Sequence, residues 1–296
     1  MPNKNSLKEL KIEIGDIVFS AVSNDPDLRL GADARYKQFV TSAVPDVVLS
    51  AHYGYHLHQN VGKKIFDSGG YWSLFRNDGK LIFCLFSPPS SPLPDKIAVL
   101  ESNFKSIDIY FKKKPEIPSI TTPTINPFQY PLDELLMINL LSSGLGVLVH
   151  ACGIRIKGRG IIFPGTSGAG KSTLANLGKS KKDFTILSDD RIIIRKIDGR
   201  FWIYGTPWHG DAQVHSPERA PLKKIFFLNH ALENWAKGIE RIDATSKLMV
   251  RSFPPFWSKE GMEFTLGFID ELTTEVPCYE LGFLPDTSVF DLINSI

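Results

Sequence analysis

The sequence has little of what marks a secreted, a membrane-spanning or a nucleic-acid-binding chain. Three cysteines, Cys84, Cys152 and Cys278, stand far apart in 296 residues and form no C-x-x-C pair. That spacing indicates neither a disulfide framework nor a zinc site and fits buried free thiols in a reducing compartment. No apolar run approaches the roughly 18 uninterrupted residues that a membrane span requires. The polar start, Met1-Pro2-Asn3-Lys4-Asn5, leads into no apolar stretch of signal-peptide length, so a cytoplasmic location is expected. An excess of charge of one sign is missing too: 34 Lys and Arg face 32 Asp and Glu, a formal net charge of +2. A dedicated nucleic-acid surface needs a concentrated basic patch, and none is expected. The three lysines between Lys179 and Thr185 share their stretch with Asp183 and read as a solvated turn.

What is present is an ordinary globular composition, with 43% hydrophobic and 22% charged residues. The length suits two domains or one large one. Residues from about Ile12 to Phe111 carry β patterning broken by turns, with no long amphipathic helix, and predict a mainly antiparallel β domain over 1–115. Leu81-Ile82-Phe83-Cys84-Leu85-Phe86 follows an Asn77-Asp78-Gly79-Lys80 turn, and Ile107-Asp108-Ile109-Tyr110-Phe111 alternates. His52, His56 and His58 cluster here. On a strand His56 and His58 would share a face, which could suit a metal, but no acid or cysteine stands beside them and a solvated face is the preferred reading. Lys112-Lys113-Lys114-Pro115 through Thr124 is rich in Pro, Thr and Lys and reads as a connector. A second domain, α/β in class, is expected over 125–296.

That second domain is built around Gly165-Thr166-Ser167-Gly168-Ala169-Gly170-Lys171-Ser172, which fits G-x-x-x-x-G-K-[ST] at every fixed position. With glycine at roughly 7% of positions, chance would place such a string in a chain this long only about 1% of the time. Gly160 to Pro164 reads as a strand running in, and Ser172-Thr173-Leu174-Ala175-Asn176-Leu177 as a helix running out. Glycines let the backbone turn so that successive N–H groups face phosphate oxygens, and the helix start adds partial positive charge. Lys171 would reach the outer phosphates of ATP and Ser172 would ligate their Mg²⁺, with residues from Gly165 to Thr173 forming the cradle.

About twenty residues later the apolar strand Thr185-Ile186-Leu187 closes on Ser188-Asp189-Asp190, where a magnesium-organising carboxylate belongs. Two adjacent acids permit one to hold the metal or its water and the other to take a proton from an attacking hydroxyl. Pro131 to Leu141 reads as a buried helix. Val147-Leu148-Val149-His150-Ala151-Cys152 reads as a strand, and Ile197-Asp198-Gly199 marks a hairpin. Gly205 to Asp211 forms a stiff polar and aromatic turn containing His209, whose simplest reading is a side chain on its rim. Lys223 to Leu228 is a strand, Ile242 to Phe253 a helix, Val276 to Leu281 a strand, and a last helix starts near Thr287.

In order and spacing, Leu148-Val149-His150-Ala151, Gly160 through Leu174, and Leu187-Ser188-Asp189-Asp190-Arg191 resemble the HPr kinase/phosphorylase group, more closely its HPr-kinase-like relatives, over about residues 128–230. The tail from Pro277 to Phe283 is similar as well. The resemblance implies a P-loop kinase domain akin to that of phosphoenolpyruvate carboxykinase. It would move the γ-phosphoryl of ATP onto a hydroxyl. It implies Asp189 as base, His150 as its positioning neighbour and Lys171 as phosphate ligand, with Ser172 and Asp190 at the metal. The group's metal-binding glutamate has no counterpart at Trp202-Ile203-Tyr204, and Asp211 stands as its substitute. Relatives of this kind include lasso-peptide precursor kinases, so the implied partner is a peptide or small protein with an acceptor serine. Two rivals are a nucleotide-sensing module without transfer and a carboxykinase-like enzyme. The sequence leaves the oligomeric state open, a homo-oligomer included.

Overall fold

The computed structural model of the protein describes residues 8–54, 61–112 and 124–296. The chain packs as two compact units, Met1–Leu136 and Met137–Ile296. The first is built on β1 (Lys8–Glu13), β2 (Val18–Ser23), β3 (Arg29–Leu30), β4 (Val47–Tyr53), β5 (Lys63–Asp67), β6 (Trp72–Asn77), β7 (Lys80–Leu85), β8 (Lys96–Leu100), β9 (Ser106–Phe111) and β10 (Thr124–Ile125). Eight of these form one sheet in the order β1-β2-β4-β9-β8-β7-β6-β5, while β3 and β10 pair separately.

The large sheet is mostly antiparallel, but β2–β4 and β4–β9 are parallel pairs. An alternating pattern states which face is buried and carries no information about strand direction, so the sequence could not announce them. On β9, Ile107, Ile109 and Phe111 are buried while Asp108 and Tyr110 are partly exposed. The continuous apolar run of β7 has cover on both faces, with Ile82 and Cys84 packing against Ile97 on one of them. The expected turn joins β6 to β7, with Asp78 and Gly79 both at positive φ (46° and 81°). Of the histidine cluster, His52 places Nε2 3.4 Å from Asp108 Oδ1 and stacks on Tyr110. His56 and His58 lie outside the described residues.

The connector at 113–123 also lies outside them. Beyond it, β10 pairs with β3, and the Tyr36 hydroxyl donates to the buried Asp133 carboxylate. Those contacts tie 124–136 into the first unit, past the boundary that composition suggests.

One partly buried charge in this unit has a pH signature. Lys96 lies with Nζ 5.3 Å from the centre of the Phe111 ring, and burial pushes its ammonium down to about 8, against the opposing pull of Asp133. Below pH 8 the folded chain must carry this charge in a poor environment. Between pH 8 and the ordinary lysine value of 10.5 it sheds the proton that the unfolded chain still holds, so stability gains from rising pH across that window. The difference in melting temperature between the parent and Lys96→Met is expected to move in the parent's favour from pH 8 to pH 10.5. A difference flat with pH would contradict the assignment.

The second unit follows the helix α1 (Leu132–Leu140), within which the division falls. Its strands are β11 (Val147–Ile156), β12 (Arg159–Pro164), β13 (Phe184–Ser188), β14 (Arg191–Ile197), β15 (Arg200–Tyr204), β16 (Arg219–His230), β17 (Trp235–Gly238) and β18 (Cys278–Phe283). Its helices are α2 (Lys171–Lys179), α3 (Arg241–Met249), α4 (Lys259–Glu275) and α5 (Val289–Ser295). Hydrogen-bonded pairings run β11–β14–β15–β16–β12 and return to β11, so five strands close on themselves. The far half of β16 pairs in parallel with β18, and β13 pairs with β11.

Because side chains alternate along a strand, β11 feeds two cores at once. Val147, Val149 and Ala151 join Phe227, Leu248 and Ile269, which brings in α3 and α4. Cys152, Ile154 and Ile156 join Phe163, Leu174 and Phe290, which brings in α2 and α5. Each fully buried Leu, Ile or Phe of this kind contributes about 1.5–3 kcal/mol. The longest helix, α4, is not among the elements the sequence pattern predicts. Among the described residues, no helix is long and apolar enough to cross a membrane.

Candidate functional site

The site forms where β12 and β13 end. The strand β12 delivers the chain into Gly165–Gly170, and α2 starts at Lys171. Two glycines make the turn possible. Gly168 has φ 79° and Gly170 has φ 99°, and at Gly170 a Cβ would also come within 2.7 Å of the Phe283 ring. Gly170 occupies the position before α2, and no side chain caps the helix. Its first amides therefore depend on something other than a neighbouring side chain.

Lys171 is buried, 7% exposed, with Nζ donating to the carbonyls of Gly165 and Thr166 at 2.9 Å each. Burial pushes its ammonium below the ordinary lysine value, against the pull of Cys152 and Asp189, and the positive charges of Arg251 and Arg191 lower it further. Across the loop, His230 Nε2 lies 2.8 Å from Gly168 O, which fixes a proton on that nitrogen because a carbonyl only accepts.

The two aspartates have separate surroundings. Asp189 is 1% exposed and accepts three hydrogen bonds: Gly210 N–H on Oδ1 at 2.9 Å, with Ala212 N–H at 2.9 Å and the Ser172 hydroxyl at 3.2 Å on Oδ2. Asp190 is partly open. Its Oδ1 is 3.1 Å from His150 Nε2, and its Oδ2 pairs with the Arg191 guanidinium. Main-chain bonds lock this geometry together. Ala151 N–H donates to Asp190 O at 3.0 Å and Gly165 N–H donates to His150 O at 3.5 Å, so strand, loop and acids share one scaffold. The Ser188 hydroxyl donates to Trp208 O and accepts from the amides of Asp190 and Arg191, holding the turn that presents both carboxylates.

Thus Lys171, Ser172, Asp189, Asp190 and His150 converge. Thr166, Ser167 and Gly168 stay exposed at the loop tip, and Thr173 is exposed on α2. His209 places Nδ1 3.2 Å from Gly210 O and stacks on His215, on the rim of its turn. Asp211 is exposed and takes no part in the contacts around Asp189. The turn serves the site through the amides on either side of it, Gly210 and Ala212. No group of three or more His, Cys, Asp or Glu gathers as for a metal among the described residues.

Sequence reasoning missed Arg191 and Phe253, whose ring lies 4.9 Å from the Arg191 guanidinium and stacks on His150. Arg191 follows the acid pair directly and could have been included on that signal. Phe253 comes from a segment more than a hundred residues away from His150 and carries no local signature.

Gly205 underlies the same corner. A Cβ there would overlap the Ser216 carbonyl and come within 2.6 Å of Leu187 O, at the end of the strand that carries Ser188 and Asp189. Backbone on both sides leaves no flexible side chain to yield. Gly205→Ala is expected to cost about 1–3 kcal/mol, read as a lower urea midpoint with an unchanged slope. An unchanged midpoint would show that the corner has room to give.

No known protein-family model matches the chain, and no curated protein matches it. Among solved structures, the chain is similar to the HPr(Ser) kinase/phosphatase from Coxiella burnetii, at 14% identity and a TM-score of 0.25, over 50% of this chain and 86% of that one. A likeness at that level decides neither activity nor substrate, so the reading rests on the residues themselves.

Proposed function

We propose that the second unit is an ATP- and Mg²⁺-dependent phosphotransferase that phosphorylates a hydroxyl, a serine of a peptide or small protein. The observation that carries the reading is the contact of Ser172 with Asp189 at 3.2 Å, one residue along from the buried Lys171 at the start of an uncapped helix. The residues fit the group: loop amides and Lys171 suit a triphosphate, and Ser172 with Asp189 behind it suits a Mg²⁺ that keeps its other positions for phosphate oxygens and water. Bound there, Mg²⁺ would neutralise charge on the phosphates and align them.

The surroundings of the acids favour the reverse of the division of labour that the family resemblance implies. Asp189 spends both oxygens on two amides and a hydroxyl and is closed to an incoming group, which suits the metal side. Asp190 is more open, with Oδ1 beside His150 and Oδ2 paired with Arg191. His150 orients it, so Asp190 is the better acceptor for the proton of an attacking hydroxyl. The remaining contribution is positioning, because phosphoryl transfer asks little covalent chemistry of the protein.

Incubation with γ-labelled ATP in a lysate lacking this protein tests the proposal. Label moving to a peptide or protein in a magnesium-dependent way, stable to acid as a serine phosphate is, is the expected result. Tight ATP binding with no transfer across a broad acceptor panel would overturn it in favour of a nucleotide sensor.

A further inference from the structure

The strand β16 ends beside the phosphate loop, and its last residue touches that loop from outside. His230 pairs with Phe283 at the end of the parallel β16–β18 ladder. The Phe283 ring fills the space next to Gly170, and His230 Nε2 donates to Gly168 O at 2.8 Å. The chain beyond β16 is tied to the chain beyond β18. Asn234 Oδ1 accepts from Leu284 N–H at 2.9 Å, and Asn234 Nδ2 donates to the Ser288 hydroxyl at 2.6 Å. The end of the ladder is therefore anchored without help from the loop.

The peptide between Gly168 and Ala169 is held at both ends. Its carbonyl accepts from His230, and its N–H donates to Thr166 O at 3.2 Å. Thr166, Ser167 and Gly168 are exposed, so hydrogen bonds rather than packing fix the tip. Gly168 sits at φ 79° without a Cβ, and its own preferences do little to resist turning this plane. A half-turn would put the oxygen where the N–H now lies, beside the Thr166 carbonyl that Lys171 also binds. That would aim a negative dipole end into a loop whose amides suit an anion.

We propose that His230 is a positioning residue for the phosphate loop: it holds the Gly168 carbonyl outward, so that the free loop already has the shape that receives a phosphate chain. This rests on the phosphotransferase reading above and adds to the loop a residue from outside it. A loop ordered beforehand loses less freedom when the anion arrives, and the difference appears as affinity. His230 itself is exposed, so its replacement should leave the melting temperature near the parent's.

Calorimetric titration of the full chain with Mg·ATP, and with inorganic tripolyphosphate in the presence of magnesium, tests the role. His230→Phe keeps a ring and loses the donor, while His230→Gln loses the ring and keeps an N–H at the reach of Nε2. The Phe variant is expected to bind both ligands about 3- to 10-fold more weakly, as for one hydrogen bond. The Gln variant is expected to stay within about twofold of the parent for both. A Phe variant that binds like the parent, or a Gln variant as weak as the Phe variant, would overturn the role. A loss confined to Mg·ATP would overturn it too, because His230 would then act on the nucleoside and not on the loop. If the parent binds neither ligand, the phosphotransferase reading fails and takes this inference with it. If the parent binds both and the two variants do not separate, only the role of His230 fails.

Discussion

Asp190→Asn is expected to bind Mg·ATP as the parent does and to transfer its phosphoryl group about 10²–10⁴-fold more slowly, the usual contribution of a positioned general base. The amide keeps the shape and can still accept from Arg191, so the fold should persist. Partly exposed ion pairs of this kind contribute about 1 kcal/mol at most. What the amide lacks is a charged oxygen to receive the proton of the acceptor. The readout is a single-turnover rate beside a nucleotide titration. A variant that transfers at the parental rate would return the base to Asp189 or remove the need for one. A variant that loses nucleotide affinity instead would place Asp190 with the metal, as the family resemblance implies.

Asp189→Asn is expected to fail differently. Its almost fully buried carboxylate accepts from Gly210 N–H, Ala212 N–H and the Ser172 hydroxyl. An amide offers one oxygen, so its NH₂ must face at least one of those donors. A buried donor left without a partner costs about 1–3 kcal/mol, visible as a lower melting temperature. The second loss is specific: magnesium-dependent ATP affinity should fall about 10- to 100-fold, as when the support of a metal ligand is removed. Affinity for ATP without magnesium should change little. The pair of variants therefore yields opposite patterns, binding without turnover for Asp190 and weakened metal-dependent binding for Asp189. Identical patterns would dissolve the division between them.

The parts of this site written locally were legible in the sequence. The loop could be read because its glycines, lysine and serine follow from the geometry of one turn, and the structure has positive φ at Gly168 and Gly170. Strand, loop and helix came at the expected places, as did the hairpin at Asp198-Gly199 joining β14 to β15. Asp189 and Asp190 could be found as a pair but not assigned, because what separates them comes from elsewhere. The amides of Gly210 and Ala212 lie about twenty residues on, and His150 about forty back. Asp211 attracted attention as an acid in a stiff turn, while it is the backbone around it that reaches Asp189.

The helix α4 escaped because its buried face includes Gly261, Thr265 and Thr273 among Phe268, Ile269 and Leu272, which blurs the apolar stripe that marks a helix. Its boundaries did carry a signal. Ser258 caps it, accepting from Gly261 N–H at 3.1 Å, and Pro277 stands just beyond its end.

A crystal structure with a non-hydrolysable ATP analogue and magnesium tests the central claim most directly. The expected result is a triphosphate lying against the backbone from Thr166 to Lys171, with the metal on Ser172 Oγ and Asp189 within one water of it. A triphosphate bound elsewhere, or one whose metal lies more than a bridging water from Asp189 with both carboxylates turned away, would contradict it.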